Sequence, residues 1–205
     1  SYGEAVIDGG AGDDLIYLVG GEVRSAPVTI TLGAGRDTLD FSAWGSDRAP
    51  PTVTDFQVAG ASADRVELGS FLFYNGGSLG FSTSNPFATG LVRLVQSGAD
   101  TLLQLRGNDS TYGTLLILAD VVASTLTADS FGGIDPTGAA APRGVEIVGG
   151  ADGGKLIGGR FADHLQGGDG ADVIGGAGGA DLLEGHGGDD ALRSRGADGV
   201  TVPGG

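Results

Sequence analysis

Residues 149–193 read GGADGGKLI, GGRFADHLQ, GGDGADVIG, GAGGADLLE and GHGGDDALR, five nine-residue units in unbroken succession. Each opens on a glycine (Gly149, Gly158, Gly167, Gly176, Gly185) and places an apolar residue eighth (Leu156, Leu165, Ile174, Leu183, Leu192). Four of the five hold an aspartate sixth: Asp163, Asp172, Asp181 and Asp190. One inward apolar residue per unit suits a strand of about three residues. The rest of the unit must reverse the chain in a tight loop, and glycine tolerates the positive φ that such loops require. Two units then make one coil of a flattened solenoid. The apolar residues stack in two columns, Leu165 above Leu183 and Ile174 between Leu156 and Leu192. A Gly/Asp-rich disordered linker is the alternative, and the strict spacing of the apolar residue argues against it.

The same period puts every second turn on one edge. Asp163 is therefore expected to face Asp181, and Asp172 to face Asp190. Two carboxylates about 4 Å apart repel by roughly 4 kcal/mol at an effective dielectric of about 20. A hard cation reverses the sign of that interaction, and glycine turns offer carbonyl oxygens to complete the shell. Calcium fits, because it accepts six to eight oxygens in flexible geometry, whereas magnesium wants a stricter octahedron. Cysteine is absent and only His164 and His186 could supply nitrogen, which disfavours zinc or copper.

These units resemble the nonapeptide GGxGxDxUx of the RTX (repeats-in-toxin) family, which forms calcium-loaded parallel β-rolls. The segment Gly167-Gly168-Asp169-Gly170-Ala171-Asp172-Val173-Ile174 fits the motif best. Gly154 departs from it by replacing the first unit's aspartate, Phe161 replaces a turn glycine, and Ala177 and His186 take the second-glycine position. After Arg193 the pattern decays through Gly196 to Gly199. The resemblance implies several Ca2+ ions, with full sites between the turns of Asp163 and Asp181 and between those of Asp172 and Asp190. The turn glycines Gly159, Gly168, Gly170, Gly176, Gly178, Gly185 and Gly187 would contribute main-chain oxygens. Sites at either end of the stack would be partial.

A shorter roll opens the chain. Gly9-Gly10-Ala11-Gly12-Asp13-Asp14-Leu15-Ile16 is one unit and Leu32-Gly33-Ala34-Gly35-Arg36-Asp37-Thr38-Leu39 another. An ordinary coil is lengthened between them around Gly20 to Pro27. Val28 to Leu32 supplies the intervening strand, with Ile30 inward above Ile7. Asp14 and Asp37 then share an edge and a cation, with Gly10, Gly12, Gly33 and Gly35 in the turns that surround it.

From about Ala43 to Asp135 the pattern changes. Thr52 to Phe56 and Asp64 to Leu68 read as strands. The run resembles the "I-x-D-F…D-x-I-x-L" segment of secreted RTX proteins, and by that resemblance Asp55 and Asp64 bind a further cation; as loop acids they need none. Phe71, Phe73, Tyr74, Phe81 and Phe87 are expected to pack the junction, or alternatively to offer an aromatic patch for sugar or protein contacts. Leu91 to Gln96, Thr101 to Arg106 and Thr114 to Leu118, separated by Gly/Asn/Asp turns, predict an antiparallel meander. The stretch Arg93 to Gln104 is similar to C-terminal regions of type I-secreted proteins, where its expected role is to close a roll. Asp120 to Ser130 is expected to form a short helical turn. Pro136 to Arg143 reads as a linker. Some RTX relatives self-cleave at an Asp-Pro bond, but at Asp135-Pro136 a plain turn is the better reading.

The expected fold class is all-β, with parallel β-roll segments at both ends flanking an antiparallel β region. The divisions are a roll over 1–42, a middle region over 43–135, a linker over 136–143 and a second roll over 144–205. Forty-two glycines in 205 residues far exceed the usual ~7%, yet 40% hydrophobic content is too much for a disordered tail. A net charge of −15 excludes nucleic acid on electrostatic grounds and suits acids neutralised by divalent cations. No apolar run approaches a membrane span and no signal peptide opens the sequence. Methionine is absent, so Ser1 is not an initiator and the chain is expected to be either processed or excised from something larger.

Catalysis is not expected. The two histidines occupy positions expected to face solvent, Ser194 has no base at readable spacing, and the paired carboxylates are better explained as metal ligands. A two-acid glycosidase site needs a groove that a thin roll lacks. The expected role is a secreted calcium-binding structural module at the cell surface or in an extracellular array, with calcium and further copies of itself, head-to-tail, as partners. The alternatives are a folding and export domain of a larger secreted enzyme (protease, lipase or epimerase) and a carbohydrate-binding module.

Overall fold

The structure is a computed structural model that describes residues 4–19, 27–43, 49–68, 84–107 and 109–193. In the C-terminal roll each nine-residue unit ends in one short strand: β11 (Lys155–Ile157), β12 (His164–Gln166), β13 (Val173–Gly175), β14 (Leu182–Glu184) and β15 (Ala191–Arg193), preceded by β10 (Glu146–Val148). They form two parallel three-stranded sheets, β10-β12-β14 and β11-β13-β15. Leu165 pairs with Leu183, and Ile174 lies between Leu156 and Leu192. The middle residue of each strand points inward and its neighbours outward. Ile147, Leu156, Leu165, Ile174 and Leu183 are buried, and with Val145 and Leu192 they form this roll's core among the described residues.

The N-terminal roll has the same construction with longer loops. Its sheets contain β1 (Ala5–Asp8), β3 (Val28–Thr31) and β5 (Thr52–Val53) on one side, and β2 (Leu15–Val19), β4 (Thr38–Ala43) and β6 (Arg65–Glu67) on the other, all parallel. Ile7 pairs with Ile30 and Ile30 with Val53; Ile16 pairs with Leu39 and Leu39 with Val66. Residues 49–68, read from the sequence as strands of a different structure, thus add a third coil to this roll. The change of loop length hides the repeat.

The meander grows directly from the roll. β9 (Tyr112–Leu118) pairs in parallel with β5, then β8 (Asp100–Arg106) and β7 (Val92–Ser97) follow antiparallel, giving the order β1-β3-β5-β9-β8-β7. Along β8, Thr101, Leu103 and Leu105 face in and their neighbours are half-buried, the alternation expected of a one-sided sheet. Roll and meander share one core around Phe41, Leu68, Leu103, Leu116 and Phe131. Phe87 packs on Phe131 with ring centroids 5.3 Å apart; Phe71, Phe73, Tyr74 and Phe81 lie outside the described residues. Two 3-10 turns, Ala123–Thr125 and Asp129–Phe131, occupy the predicted helical stretch.

The 136–143 segment is pinned down. The Asp135 carboxylate accepts the Thr137 N–H (2.9 Å) and hydroxyl (2.8 Å) and the Ala140 N–H (2.9 Å). The Asn85 amide donates to the carbonyls of Asp135 and Ala140 at 2.7 and 2.9 Å. Phe161, which stands where the motif wants glycine, packs against the larger core. Among the described residues no helix is long and apolar enough to cross a membrane.

Candidate metal centre

Along one edge of each roll the turns are joined by a ladder of aspartates. In the C-terminal roll the Asp163 N–H donates to Asp181 Oδ1 (3.0 Å), and the Asp172 N–H to Asp190 Oδ1 (2.9 Å). One coil earlier, Val145 and Gly154 donate to Asp163 and Asp172 at 2.8 and 2.7 Å, although neither carries a carboxylate itself. The remaining oxygens of Asp163 and Asp172 take the N–H of the second glycine in their own turns, Gly159 (2.6 Å) and Gly168 (2.8 Å). In the next turn that glycine is Ala177, held at φ 65°. Asp181 Oδ2 there is buried with no hydrogen-bond partner.

The N-terminal ladder has three aspartates. Asp14 donates its N–H to Asp37 Oδ1 (2.9 Å) and Asp37 its N–H to Asp64 Oδ1 (3.0 Å). The Oδ2 atoms of Asp14 and Asp37 are buried without a partner, whereas that of Asp64 accepts the Gln57 N–H (2.8 Å). The sequence reading grouped Asp64 with Asp55 and missed its place above Asp37, because the ladder intervals here are 23 and 27 residues and no fixed period exposes them. Asp55 lies elsewhere in the turn. Its two oxygens accept the N–H groups of Leu32 (2.8 Å) and Gly33 (2.9 Å), stapling the third turn to the second.

Burial dominates the electrostatics. It pushes the Asp37 carboxyl up to about 6, against the stabilising Asp14 N–H, while Asp14, Asp13 and Asp55 add repulsion. It pushes Asp64 up to about 7 against the N–H groups of Gln57 and Asp37. Asp163 rises to about 6 for the same reason, opposed by the Val145 and Gly159 N–H groups and by the charge of Arg65. Asp181 is also raised by burial. Each ladder thus holds carboxylates whose charge the protein alone does not compensate, a pattern common at functional sites.

The donor set fits calcium. Among the described residues no point gathers three or more His, Asp or Glu side chains, so a cation must draw largely on main-chain oxygens. The turns carry such oxygens. The carbonyls of Gly159 and Gly168 accept the N–H groups of Gly178 and Gly187 at 2.9 and 3.0 Å, and that of Gly10 accepts Ala34 N–H at 2.9 Å; each keeps a second lone pair. At several turn glycines the cradle admits no side chain. A Cβ on Gly176 would strike Asp181 Oδ2, one on Gly185 would strike Asp190 Oδ2, and one on Gly33 would strike the Gly10 carbonyl. Orphaned carboxylate oxygens and glycine-turn carbonyls are the kind of oxygen donors that a hard cation takes. The histidines stand apart from it. His164 Nε2 lies 2.9 Å from Glu184 Oε2 on the outer face, and His186 sits in a turn at φ 65°.

The family model of the RTX calcium-binding nonapeptide repeat matches the sequence in four copies, over residues 3–22, 148–183, 157–192 and 176–198. No curated protein matches it.

Proposed function

The chain carries RTX calcium-binding nonapeptide repeats in both of its rolls, and from that premise we propose that it is a secreted structural module which folds when calcium binds and assembles outside the cell. The observation that carries this reading is the set of buried, unpartnered carboxylate oxygens on Asp14, Asp37 and Asp181. Without a cation they oppose folding; with one they support it. The proposed ligands are Asp14, Asp37 and Asp64 in the first roll, and Asp163, Asp181, Asp172 and Asp190 in the second, together with carbonyls of their glycine turns. Extracellular calcium modules commonly bind with dissociation constants of about 10⁻⁴ to 10⁻³ M. At tenfold excess each site adds roughly 1.4 kcal/mol, so three sites supply on the order of 4 kcal/mol. That is comparable to the whole stability of a small domain. In this reading the rolls are only marginally stable and loosely ordered where calcium is scarce, and they order fully where it is plentiful.

Assembly has its own support. Among the described residues β14 and β15 are edge strands, and Leu192 above Ile174 is only partly covered. A solenoid edge of this kind accepts another copy or another domain. Head-to-tail addition of one copy to the next gives an open filament. The meander supports a second reading, a calcium-dependent folding and export domain of a larger secreted enzyme, since it closes the third coil of the first roll. Neither reading assigns the chain a catalytic site.

A calcium titration of the chelated protein, followed by far-UV circular dichroism and light scattering together, tests both. Ordering with rising scatter supports calcium-driven assembly. Ordering with flat scatter supports the export-domain reading. A spectrum indifferent to calcium overturns the calcium-folding proposal.

A further inference from the structure

The first unit of the C-terminal roll has Gly154 where later units have an aspartate, and taken alone it reads as a lost ligand. Its surroundings give it another role. The Lys155 N–H donates to the Asp13 carbonyl at 3.2 Å. The same bond one and two coils later runs from Val173 to the Gly154 carbonyl (2.9 Å) and from Ala191 to the Asp172 carbonyl (2.8 Å). Asp13, from the other roll, therefore stands where the preceding coil of this roll would be. A Cβ on Gly154 would lie 2.9 Å from Asp13 Cβ and 3.4 Å from its carboxylate. That is closer than side-chain carbons approach, and the backbone of Gly154 is not in the left-handed region. Only the neighbour demands glycine there.

Further contacts lie along the same line. Arg36, one coil after Asp13, donates to the Val148 carbonyl (2.8 Å) and to the Ala61 carbonyl (2.7 Å), tying two turns of the first roll to β10 of the second. Its own N–H donates to Asp13 Oδ1 (2.8 Å). On the third coil, the buried guanidinium of Arg65 donates to the Ile157 carbonyl at the end of β11. It also feels the charges of Glu67 and of Asp163 across the seam. Each coil of the N-terminal roll thus sends one residue, Asp13, Arg36 or Arg65, to the first coil of the C-terminal roll.

We infer that Gly154 is a docking residue, its side chain given up so that Asp13 of the N-terminal roll can occupy the place the repeat elsewhere gives to an aspartate. The two rolls then behave as one cooperative unit. Where calcium loads the rolls, a consequence that rests on the proposed function, ions bound in one roll stabilise the other through this seam.

The test is thermal unfolding of the full chain in calcium and in chelator, for the parent, Gly154→Ala, Gly154→Asp, and Gly154→Asp combined with Asp13→Gly. A docking glycine predicts that Gly154→Ala and Gly154→Asp both lower Tm, by about 3–6 °C, in either condition. It also predicts that the single transition splits into two, and that Asp13→Gly recovers part of the loss in Gly154→Asp. A lost ligand predicts the reverse: Gly154→Ala without effect, and Gly154→Asp with higher calcium affinity and a higher Tm in calcium. That pattern would overturn the inference. If Gly154→Asp fails to fold, Gly154→Ala and amide exchange at Lys155 decide the matter, since faster exchange with retained circular dichroism is the mark of an opened seam. A parent chain that ignores calcium would sink the calcium reading alone, because the comparison in chelator still reports on the seam.

Discussion

The main-chain N–H of Asp163 donates to Oδ1 of Asp181, 18 residues further on and 3.0 Å away, while Oδ2 of the same carboxylate lies buried with no partner. One oxygen holds the coil together, and the other is the one proposed to meet a cation. Asp181→Asn keeps the first role and removes the charge from the second. In chelator the variant is expected to be at least as stable as the parent, since a buried charge without a counterion costs stability. In tenfold-excess calcium it should gain about 1.4 kcal/mol less than the parent does. Urea unfolding in the two conditions measures both numbers, and an undiminished calcium gain would remove Asp181 from the ligand set.

The raised carboxyls make a pH signature whose sign depends on calcium. Asp37 and Asp163 at about 6, and Asp64 at about 7, lie above the ordinary 3.8 of an unfolded aspartate. Between pH 4 and 7 the folded chain therefore binds more protons than the unfolded one, and stability falls as pH rises. The contribution is fully present below pH 4 and lost as these groups ionise near 6 to 7. Metal-free protein is thus expected to melt higher at pH 5 than at pH 7.5. Calcium requires the ionised form, so the calcium-induced rise in Tm should be larger at pH 7.5 than at pH 5. Melting curves at the two pH values with and without calcium check this; a metal-free Tm that climbs across the interval contradicts it.

The C-terminal roll was legible because its period never slips. A fixed interval of nine residues put Leu165 over Leu183, and Asp163 beside Asp181, without knowledge of anything outside residues 149–193. The N-terminal roll was legible only where two motif units survive. Its third coil has β5 and β6 separated by a long turn, and nothing local to Thr52–Val53 says that its neighbour is β3. Asp13, Phe161 and Gly154 were readable only as passengers or departures. What each does depends on docking between distant parts of the chain, and such contacts leave no period in the sequence.

Two departures in the turns carry a backbone cost. Ala177 and His186 sit at φ 65°, in the left-handed region, where a Cβ crowds the following carbonyl. Ala177→Gly and His186→Gly are each expected to stabilise the chain by about 1 kcal/mol, less the extra entropy glycine brings to the unfolded state. Chemical denaturation in calcium and in chelator gives the values. A gain confined to calcium would mean that the turn reshapes around the ion rather than relieving strain.

Phe161 is the departure for which the opposite sign is expected. It stands at a turn position the motif gives to glycine, yet its ring packs against the core shared by the first roll and the meander. Phe161→Gly restores the motif and removes that packing. Truncating a fully buried Phe costs about 3–5 kcal/mol; Phe161 is half-buried, so a loss of about 2 kcal/mol is expected. Because the ring belongs to the second roll and its pocket to the first, the loss should appear as weakened docking as well as lower global stability. Native-state hydrogen exchange separates the two, since Gly178 N–H, bonded to the Gly159 carbonyl within the roll, should exchange faster only if the roll itself opens. The Lys155 N–H, bonded across the seam to Asp13, should lose protection first. Equal loss at both amides would mean that Phe161 supports its own roll's turn and contributes nothing specific to the contact between rolls.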